Sequence, residues 1–264
     1  MISDTVALQR NGSIAVVRLN RPEAGNTFNP ELLLAFREVV KQVAGDPAVR
    51  CVVLTGAGKL FCGGGDIMAM AAAEDRPAMM HELAGVLHDA VASLASMAKP
   101  LVVLVNGPAA GAGMSLAIAG DVVLAARSAS FLAAYGSVGL TPDGGMSWFL
   151  PRLVGLRRAQ DLIIAGRRLT AEEAADIGLV TRVVDDEVLL REGMVEAERL
   201  ASGPVGALGA ARALLAQGFD NDLVTHLALE AQTIAVAGGS AEAQEGMRAF
   251  MEQRAPVFSK IPPG

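Results

Sequence analysis

The chain has 264 residues, of which 52% are apolar but only 4% aromatic, and its formal net charge is −6. This length fits one large domain with at most a small appendage, and the composition predicts a core built from Ala, Val, Leu and Met. The acidic balance argues against nucleic acid as a partner, so any polyanionic ligand must be held by local cations and backbone amides.

The first half of the chain predicts alternating strands and helices. Residues 5–9 and 13–19 form a predicted hairpin around the turn dipeptide Asn11-Gly12. Asn29-Pro30 supplies an N-cap and a first-turn proline for a helix that extends to about residue 44. The other elements predicted in this half are a strand at 51–55, a helix at 76–97, a strand at 101–105, a helix from Met114, and strands at 121–125 and 130–133.

After Pro142 the pattern is mainly helical. Thr170 and Glu173 have the spacing of a capping box at a helix start, and 180–184 is the last predicted strand. From 187 to 254 only helices are predicted, and their many alanines indicate close packing, against one another or against another subunit.

Neither the opening residues nor the two cysteines indicate export or a membrane location. Residues 1–10 mix charged and apolar side chains and predict no signal peptide. The apolar stretch 101–126 contains turn residues and Asp121, so strand, turn and short helix explain it better than a membrane span. Cys51 and Cys62 lack partners at metal-ligand spacing, which favours a cytoplasmic protein without a metal site.

Two glycine-rich loops each follow a short apolar strand. The first is Phe61-Cys62-Gly63-Gly64-Gly65-Asp66, and the second is Asn106-Gly107-Pro108-Ala109-Ala110-Gly111-Ala112-Gly113. Backbone N–H groups can approach a ligand at glycine because no Cβ blocks the way, and the second loop leads into a helix N-terminus. Two such amides aimed at one oxygen would form an oxyanion hole, which points to acyl or enolate chemistry.

Five motifs resemble, in order and spacing, those of the crotonase (enoyl-CoA hydratase/isomerase) superfamily. They are Leu19-Asn20-Arg21-Pro22-Glu23-Ala24, Phe61 to Ile67, Lys99-Pro100 through Asn106-Gly107, Gly111-Ala112-Gly113 and Leu150 to Gly155. The resemblance implies an α/β fold, with a spiral of repeated ββα units at 1–200 that binds acyl-CoA and a helical trimerisation region at 201–264. It also implies a homotrimer or a dimer of trimers, and no cofactor, since coenzyme A is part of the thioester substrate.

The resemblance further implies where the thioester binds. Its carbonyl oxygen would lie between the backbone amides of Gly65 and Ala112. Lys59 matches a position that approaches the CoA phosphates, although a solvated lysine explains it equally well, and Asp66 is expected to orient the loop backbone. The remaining substrate-binding positions are Ala24, Gly63, Ile67, Gly111, Tyr135, Leu140 and His88.

The acid–base positions differ from those of family hydratases, which add water with two glutamates. Here the corresponding positions hold Ser115 and Tyr135, and neither is a carboxylate. Asp143 is similar to the aspartate that shuttles a proton in ring-opened phenylacetyl-CoA and Δ3,Δ2-enoyl-CoA isomerases. An aspartate before Gly-Gly is also an ordinary cap or turn residue, but we expect Asp143 to take a Cα proton and return it at Cγ.

His88 leaves a further alternative open. It shares a helical stripe with apolar residues, which predicts a core position; these are Met80, Ala84, Val91 and Ala95. It also coincides with the histidine of the 4-chlorobenzoyl-CoA dehalogenase branch, while His81 and His226 fit no cluster. We therefore rank an isomerase first, a hydratase with atypical acid–base groups second, and a dehalogenase or hydrolase third. A CoA-ester-binding protein without activity is the remaining alternative.

Overall fold

The computed structural model describes residues 4–261, which fold into a six-stranded sheet, a three-stranded sheet and surrounding helices. The strands are β1 (Val6–Asn11), β2 (Ile14–Leu19), β3 (Cys51–Gly56), β4 (Leu101–Val105), β5 (Ala109–Ala110), β6 (Val122–Ala126), β7 (Ser130–Leu132), β8 (Leu169–Thr170) and β9 (Arg182–Val184). The α-helices are α1 (Pro30–Gly45), α2 (Ile67–Ala72), α3 (Arg76–Ser96), α4 (Ala112–Ala117), α5 (Met146–Val154), α6 (Leu156–Ile163), α7 (Ala171–Asp176), α8 (Leu189–Ala201), α9 (Val205–Gln217), α10 (Leu223–Gly238) and α11 (Ala241–Met251).

The larger sheet has the strand order β1-β2-β3-β4-β6-β9 and is parallel except for the β1–β2 hairpin. Strands β3 and β4 are buried along their whole length, as expected for apolar parallel strands inside an α/β core. Helix α8 packs against both of them. Their parallel register brings their carboxyl ends to the same edge of the sheet, where both glycine loops begin.

Local sequence signals account for several of the element boundaries. Asn29 caps α1, since its side-chain oxygen accepts a hydrogen bond from Leu32 N at 2.9 Å. Thr170 and Glu173 form the predicted capping box at the start of α7. The predicted hairpin, the strands at 51–55 and 101–105 and the helical character after 187 are confirmed. The short helix α2 was not predicted.

Helix α3 presents a different face to the core from the one predicted. Its buried residues are Leu83, Leu87, Ala90, Val91 and Leu94. His88 is exposed, so the prediction of an inward-facing stripe through His88 is wrong. The leucines bury more apolar area than the alanines of that stripe, and their positions therefore decide which face turns inward.

The C-terminal helices α9, α10 and α11 contact one another, but α10 buries none of its side chains. The division at residue 200 and the assembly role of this region stay predictions. No helix within residues 4–261 combines the length and the apolar character needed to span a bilayer.

Candidate active site

The two glycine loops are joined to each other at the carboxyl ends of β3 and β4. Cys62 and Ala109 form a parallel bridge, and Ala110 N donates a hydrogen bond to Cys62 O at 3.0 Å. A Cβ at Gly113 would collide with the carbonyl oxygen of Cys62. Glycine is therefore required at residue 113 for the second loop to approach the first this closely.

The backbone amides of Gly65 and Ala112 are both available as donors. Ala112 is the first residue of α4, where helix N–H groups have no internal partner. Gly65 pairs with Phe28 in a parallel bridge, but both hydrogen bonds of that bridge involve the residues beside Gly65. Phe28 N donates to Gly64 O, and Asp66 N donates to Phe28 O. Within residues 4–261, neither the Gly65 nor the Ala112 N–H donates to a protein acceptor. A Cβ built on Gly64 would lie 3.4 Å from Ala112 N, so the first loop lies directly against this amide.

Both amides border a pocket of about 340 Å³. The predicted site residues that line it are Gly63, Gly65, Ile67, Gly111, Ala112, Tyr135, Leu140 and Asp143. Apolar side chains supply much of the remaining wall, among them Phe28, Leu33, Met70, Leu83, Leu87 and Val138. A largely apolar wall with a few convergent polar groups is typical of a small-molecule site.

Asp143 lies beside the two hydroxyls that occupy the hydratase glutamate positions. The Tyr135 hydroxyl donates to Asp143 Oδ1 at 2.7 Å. Ser115 Oγ lies 3.1 Å from the Tyr135 hydroxyl and 2.9 Å from the Asp143 carbonyl oxygen. Helix α5 begins at Met146 with Gly145 as its N-cap and without a side-chain cap. Asp143 is therefore not the cap of α5, but its carbonyl oxygen accepts a hydrogen bond from Met146 N at 3.1 Å, so it does begin a turn.

Tyr135 is suited to donate a hydrogen bond and not to act as a base. Burial of the phenol and the neighbouring Asp143 carboxylate both raise the pKa of Tyr135 above its ordinary value. The phenol therefore keeps its proton throughout the neutral range.

A model of the enoyl-CoA hydratase/isomerase family matches residues 9–261 of this chain. The chain belongs to the enoyl-CoA hydratase/isomerase family. The 1,2-epoxyphenylacetyl-CoA isomerase of Escherichia coli (strain K12) is 40% identical over 248 residues, which cover 93% of this chain and 95% of that relative. The crotonyl-CoA hydratase of Syntrophomonas wolfei is 35% identical over 260 residues, covering 98% of this chain and 99% of that relative.

The fold agrees with this family. A solved structure of an enoyl-CoA hydratase from Polaromonas sp. JS666 superposes with a TM-score of 0.91 at 33% identity, and 95% of this chain and 98% of that one are covered. The predicted crotonase fold and superfamily are thereby confirmed. Hydratase and isomerase names both occur among the relatives, so membership alone establishes an acyl-CoA enzyme family and not one reaction.

Four residues implied by the family resemblance do not line the pocket: Ala24, Lys59, Asp66 and His88. Asp66 caps α2 and accepts a hydrogen bond from Arg21 Nη1 at 2.7 Å. The bond from Arg21 and the Ala69 amide lower the pKa of Asp66. Asp66 therefore has the loop-orienting contacts predicted for it. Lys59 is exposed, and Ala24 ends a short 3-10 helix.

Of the two α3 histidines, His81 lines the pocket and His88 does not. His88 Nε2 accepts a hydrogen bond from Gly144 N at 3.1 Å, so the lone pair needed for a base is not directed at the pocket. His81, which fitted no cluster in the sequence, lines the pocket with Met80 and Ala84. Its distance of three residues from Ala84, one helical turn, is the signal that could have placed it there.

The cysteines have the inert environments expected of core thiols. Cys51 and Cys62 are free and buried, and burial raises the pKa of each thiol to about 12. Cys62 Sγ donates to Asn26 O at 3.1 Å and accepts from Gly64 N, which supports the first loop. Across residues 4–261, no three His, Cys, Asp or Glu side chains are grouped so that they could hold a metal ion.

Proposed function

We propose that this family member is an enoyl-CoA isomerase that moves a double bond between the Δ3 and Δ2 positions of an acyl-CoA thioester. One observation carries the proposal: Asp143 is the single carboxylate on the pocket wall in the part of the chain that the structure describes. A single carboxylate suffices to move one proton within a substrate. The usual addition of water uses two carboxylates, whose positions here hold Ser115 and Tyr135.

The proposed reaction proceeds through a thioester dienolate. Asp143 removes a proton from Cα of the 3-enoyl thioester, and the electron pair of that bond moves toward the carbonyl oxygen. The Gly65 and Ala112 amides donate to this oxygen, where negative charge develops. Asp143 then returns the proton to Cγ, and the double bond lies between Cα and Cβ. The sequence of steps consumes neither water nor a cofactor, and coenzyme A stays part of the substrate.

A hydratase is the second candidate, favoured by the similarity to a crotonyl-CoA hydratase. In this alternative Asp143 alone would activate water, and the Ser115 and Tyr135 hydroxyls would supply further hydrogen bonds to it. The dehalogenase alternative loses support because His88 uses its Nε2 lone pair on the backbone of Gly144.

Product analysis in heavy water tests the proposal. The protein is incubated with 3-enoyl-CoA and, separately, with 2-enoyl-CoA, and the products are identified by mass spectrometry. We expect interconversion of the two esters, with deuterium entering Cα or Cγ and no other change of mass. Addition of one water would support the hydratase, and tight binding of both esters without conversion would support the binding protein.

We also propose that copies of the chain assemble through α10, as the homotrimer or dimer of trimers that the family resemblance implies. The exposed apolar residues of this helix are Leu223, Val224, Leu227, Ile234 and Val236. The side chain of each residue is more than half exposed. The helix has few charged side chains that would keep this surface in contact with water. Leu223, Leu227 and Ile234 share one face of α10 by their helical spacing, and an exposed apolar face of this kind is typical of a protein interface.

Replacing Val224 and Leu227 by glutamate is expected to reduce the assembled mass, measured by light scattering, to that of a single chain. Burying two carboxylates without partners in an interface costs several kcal/mol. Lys41→Glu on the exposed side of α1 is the matched charge control and should leave the mass unchanged. An unaltered protein that is already a single chain would contradict the proposed assembly.

A further inference from the structure

The two carboxylate oxygens of Asp143 have different surroundings. Oδ1 accepts the hydrogen bond from the Tyr135 hydroxyl at 2.7 Å. Oδ2 has no hydrogen-bond donor within residues 4–261, and Asp143 lines the pocket. One oxygen is therefore bound by the protein, while the other remains available to a ligand.

The hydrogen of Tyr135 has one favoured acceptor. The phenol oxygen lies 2.7 Å from Asp143 Oδ1, compared with 3.4 Å from the Asp143 carbonyl oxygen. The single hydrogen of Ser115 can go to that carbonyl at 2.9 Å, to the Tyr135 oxygen at 3.1 Å or to the Gly111 carbonyl oxygen at 3.5 Å. Ser115 Oγ can also accept from the phenol, but Asp143 Oδ1 is nearer and is the charged acceptor, so it is the favoured partner of the phenol hydrogen.

The backbone conformation around Tyr135 orients its ring toward Asp143 Oδ1. Ala134 has a φ of +62°, a left-handed conformation that is unusual for a residue with a Cβ. Leu140 N donates to Tyr135 O at 3.0 Å, which closes the loop behind the ring. A strained residue next to a fixed side chain is typical of sites whose geometry the surrounding structure enforces.

The backbone of Asp143 is held from two further directions. Gly144 N donates to His88 Nε2 at 3.1 Å, and Ser115 Oγ contacts the Asp143 carbonyl oxygen. A Cβ at Gly144, where φ is +61°, would lie only 2.9 Å from Ser115 Cβ. The main chain at Asp143 is thus fixed by α3 and α4, and the Tyr135 bond fixes the remaining rotation of the carboxylate.

We propose that Tyr135 is a positioning residue for Asp143: it binds one carboxylate oxygen, so the other oxygen alone takes and returns the substrate proton. This inference rests on the proposed isomerase function, which requires Asp143 but not Tyr135. The phenol stabilises the ionised carboxylate, which is the form able to accept a proton, and stops it from rotating. Tyr135 transfers no proton itself.

Tyr135→Phe is the variant that tests this role, since it keeps the ring and removes only the donor. We expect kcat for 3-enoyl-CoA isomerisation to fall roughly 10- to 100-fold, the effect of losing a hydrogen bond to a charged group. The KM should change less than about twofold, because the ring still lines the pocket. A residue that merely bound substrate would instead change mainly KM.

The pH profile of kcat/KM provides a second readout. We expect the acid side of the Tyr135→Phe profile to differ from that of the unaltered protein, because the variant lacks the hydrogen bond that the Asp143 carboxylate accepts. The other titratable groups facing this site are His81 on the pocket wall and His88 behind Gly144. Both are retained in the variant, so neither can cause a difference between the two profiles.

Two further variants keep the test specific. Ser115→Ala leaves the Tyr135–Asp143 bond in place and should lower kcat less than tenfold. Ser96→Ala removes an exposed α3 hydroxyl outside the pocket and should leave both kcat and the pH profile unchanged. An unchanged kcat and pH profile in Tyr135→Phe, with the fold retained by thermal unfolding, would overturn the positioning role.

A measurement independent of isomerisation separates this inference from the proposed reaction. The exchange of the Cα protons of butyryl-CoA with heavy water requires the base but no double-bond shift. We expect Tyr135→Phe to slow this exchange by the same factor as kcat. The protein could fail to isomerise 3-enoyl-CoA and still exchange the Cα protons of butyryl-CoA at a rate that Tyr135→Phe lowers. This result would contradict the proposed reaction but support the positioning role. Exchange that is unaffected by the variant would overturn it.

Discussion

Replacing Asp143 by asparagine is expected to lower kcat for the isomerisation of 3-enoyl-CoA by roughly 100- to 10,000-fold, the usual contribution of a general base. Asparagine has nearly the same shape and keeps an oxygen that can accept the hydrogen bond from Tyr135. It lacks the negative charge and the basicity needed to remove a Cα proton. The affinity for the acyl-CoA ester should therefore be retained while turnover is lost, which calorimetry and steady-state kinetics together can measure.

The Asp143→Asn result needs a control with the same chemical change elsewhere. Asp89→Asn on α3 provides it, because this carboxylate is largely exposed and does not line the pocket. The assembled mass and the thermal unfolding midpoint should be the same in both variants and the unaltered protein. If Asp143→Asn kept full activity, Asp143 would have no part in the mechanism, and a different proton acceptor would be required.

Local patterns predicted much of the fold because their signals act over short distances. The Asn11-Gly12 turn, the Asn29 cap and the Thr170 capping box each involve residues at most a few positions apart. Helix α2 was missed because Ile67–Ala72 is short and carries no stop signal. The prediction of the buried face of α3 was wrong because two apolar stripes on this helix are offset by about one residue. Contacts with other elements decide which of the two stripes is buried.

The candidate site was predictable in its parts but not in its connections. The glycine loops and Asp143 are visible as residue types in order along the chain. The contacts of Ser115 with Tyr135 and Asp143 join residues 20 and 28 positions apart, so they depend on how β7 and α5 pack around α4. The position of His81 on the pocket wall, and of His88 outside it, depends on the same packing. For this reason the polar cluster around Asp143 could be recognised only from the folded chain.

Ala112→Pro is expected to lower kcat by roughly 100- to 1,000-fold, since proline removes one of the two amide hydrogens proposed to bind the enolate oxygen. The substitution suits the backbone here. Residue 112 is the first of α4, a position that proline tolerates because the N–H has no helical partner. Gly111 before it has φ 52° and ψ −130°, the mirror image of the extended conformation that residues preceding proline prefer. Glycine adopts both forms equally well.

The Ala112→Pro loss should be larger in kcat than in ester affinity, because charge on the oxygen develops only during the reaction, while the proline Cδ also crowds the bound carbonyl. Ala112→Gly keeps the amide hydrogen and should cost less than tenfold, so the two variants separate the backbone donor from the side chain. Circular dichroism and the thermal unfolding midpoint should agree between them. A proline variant with intact fold and undiminished kcat would mean that the residue 112 amide does not bind the developing negative charge, and the enolate mechanism would lose its second donor.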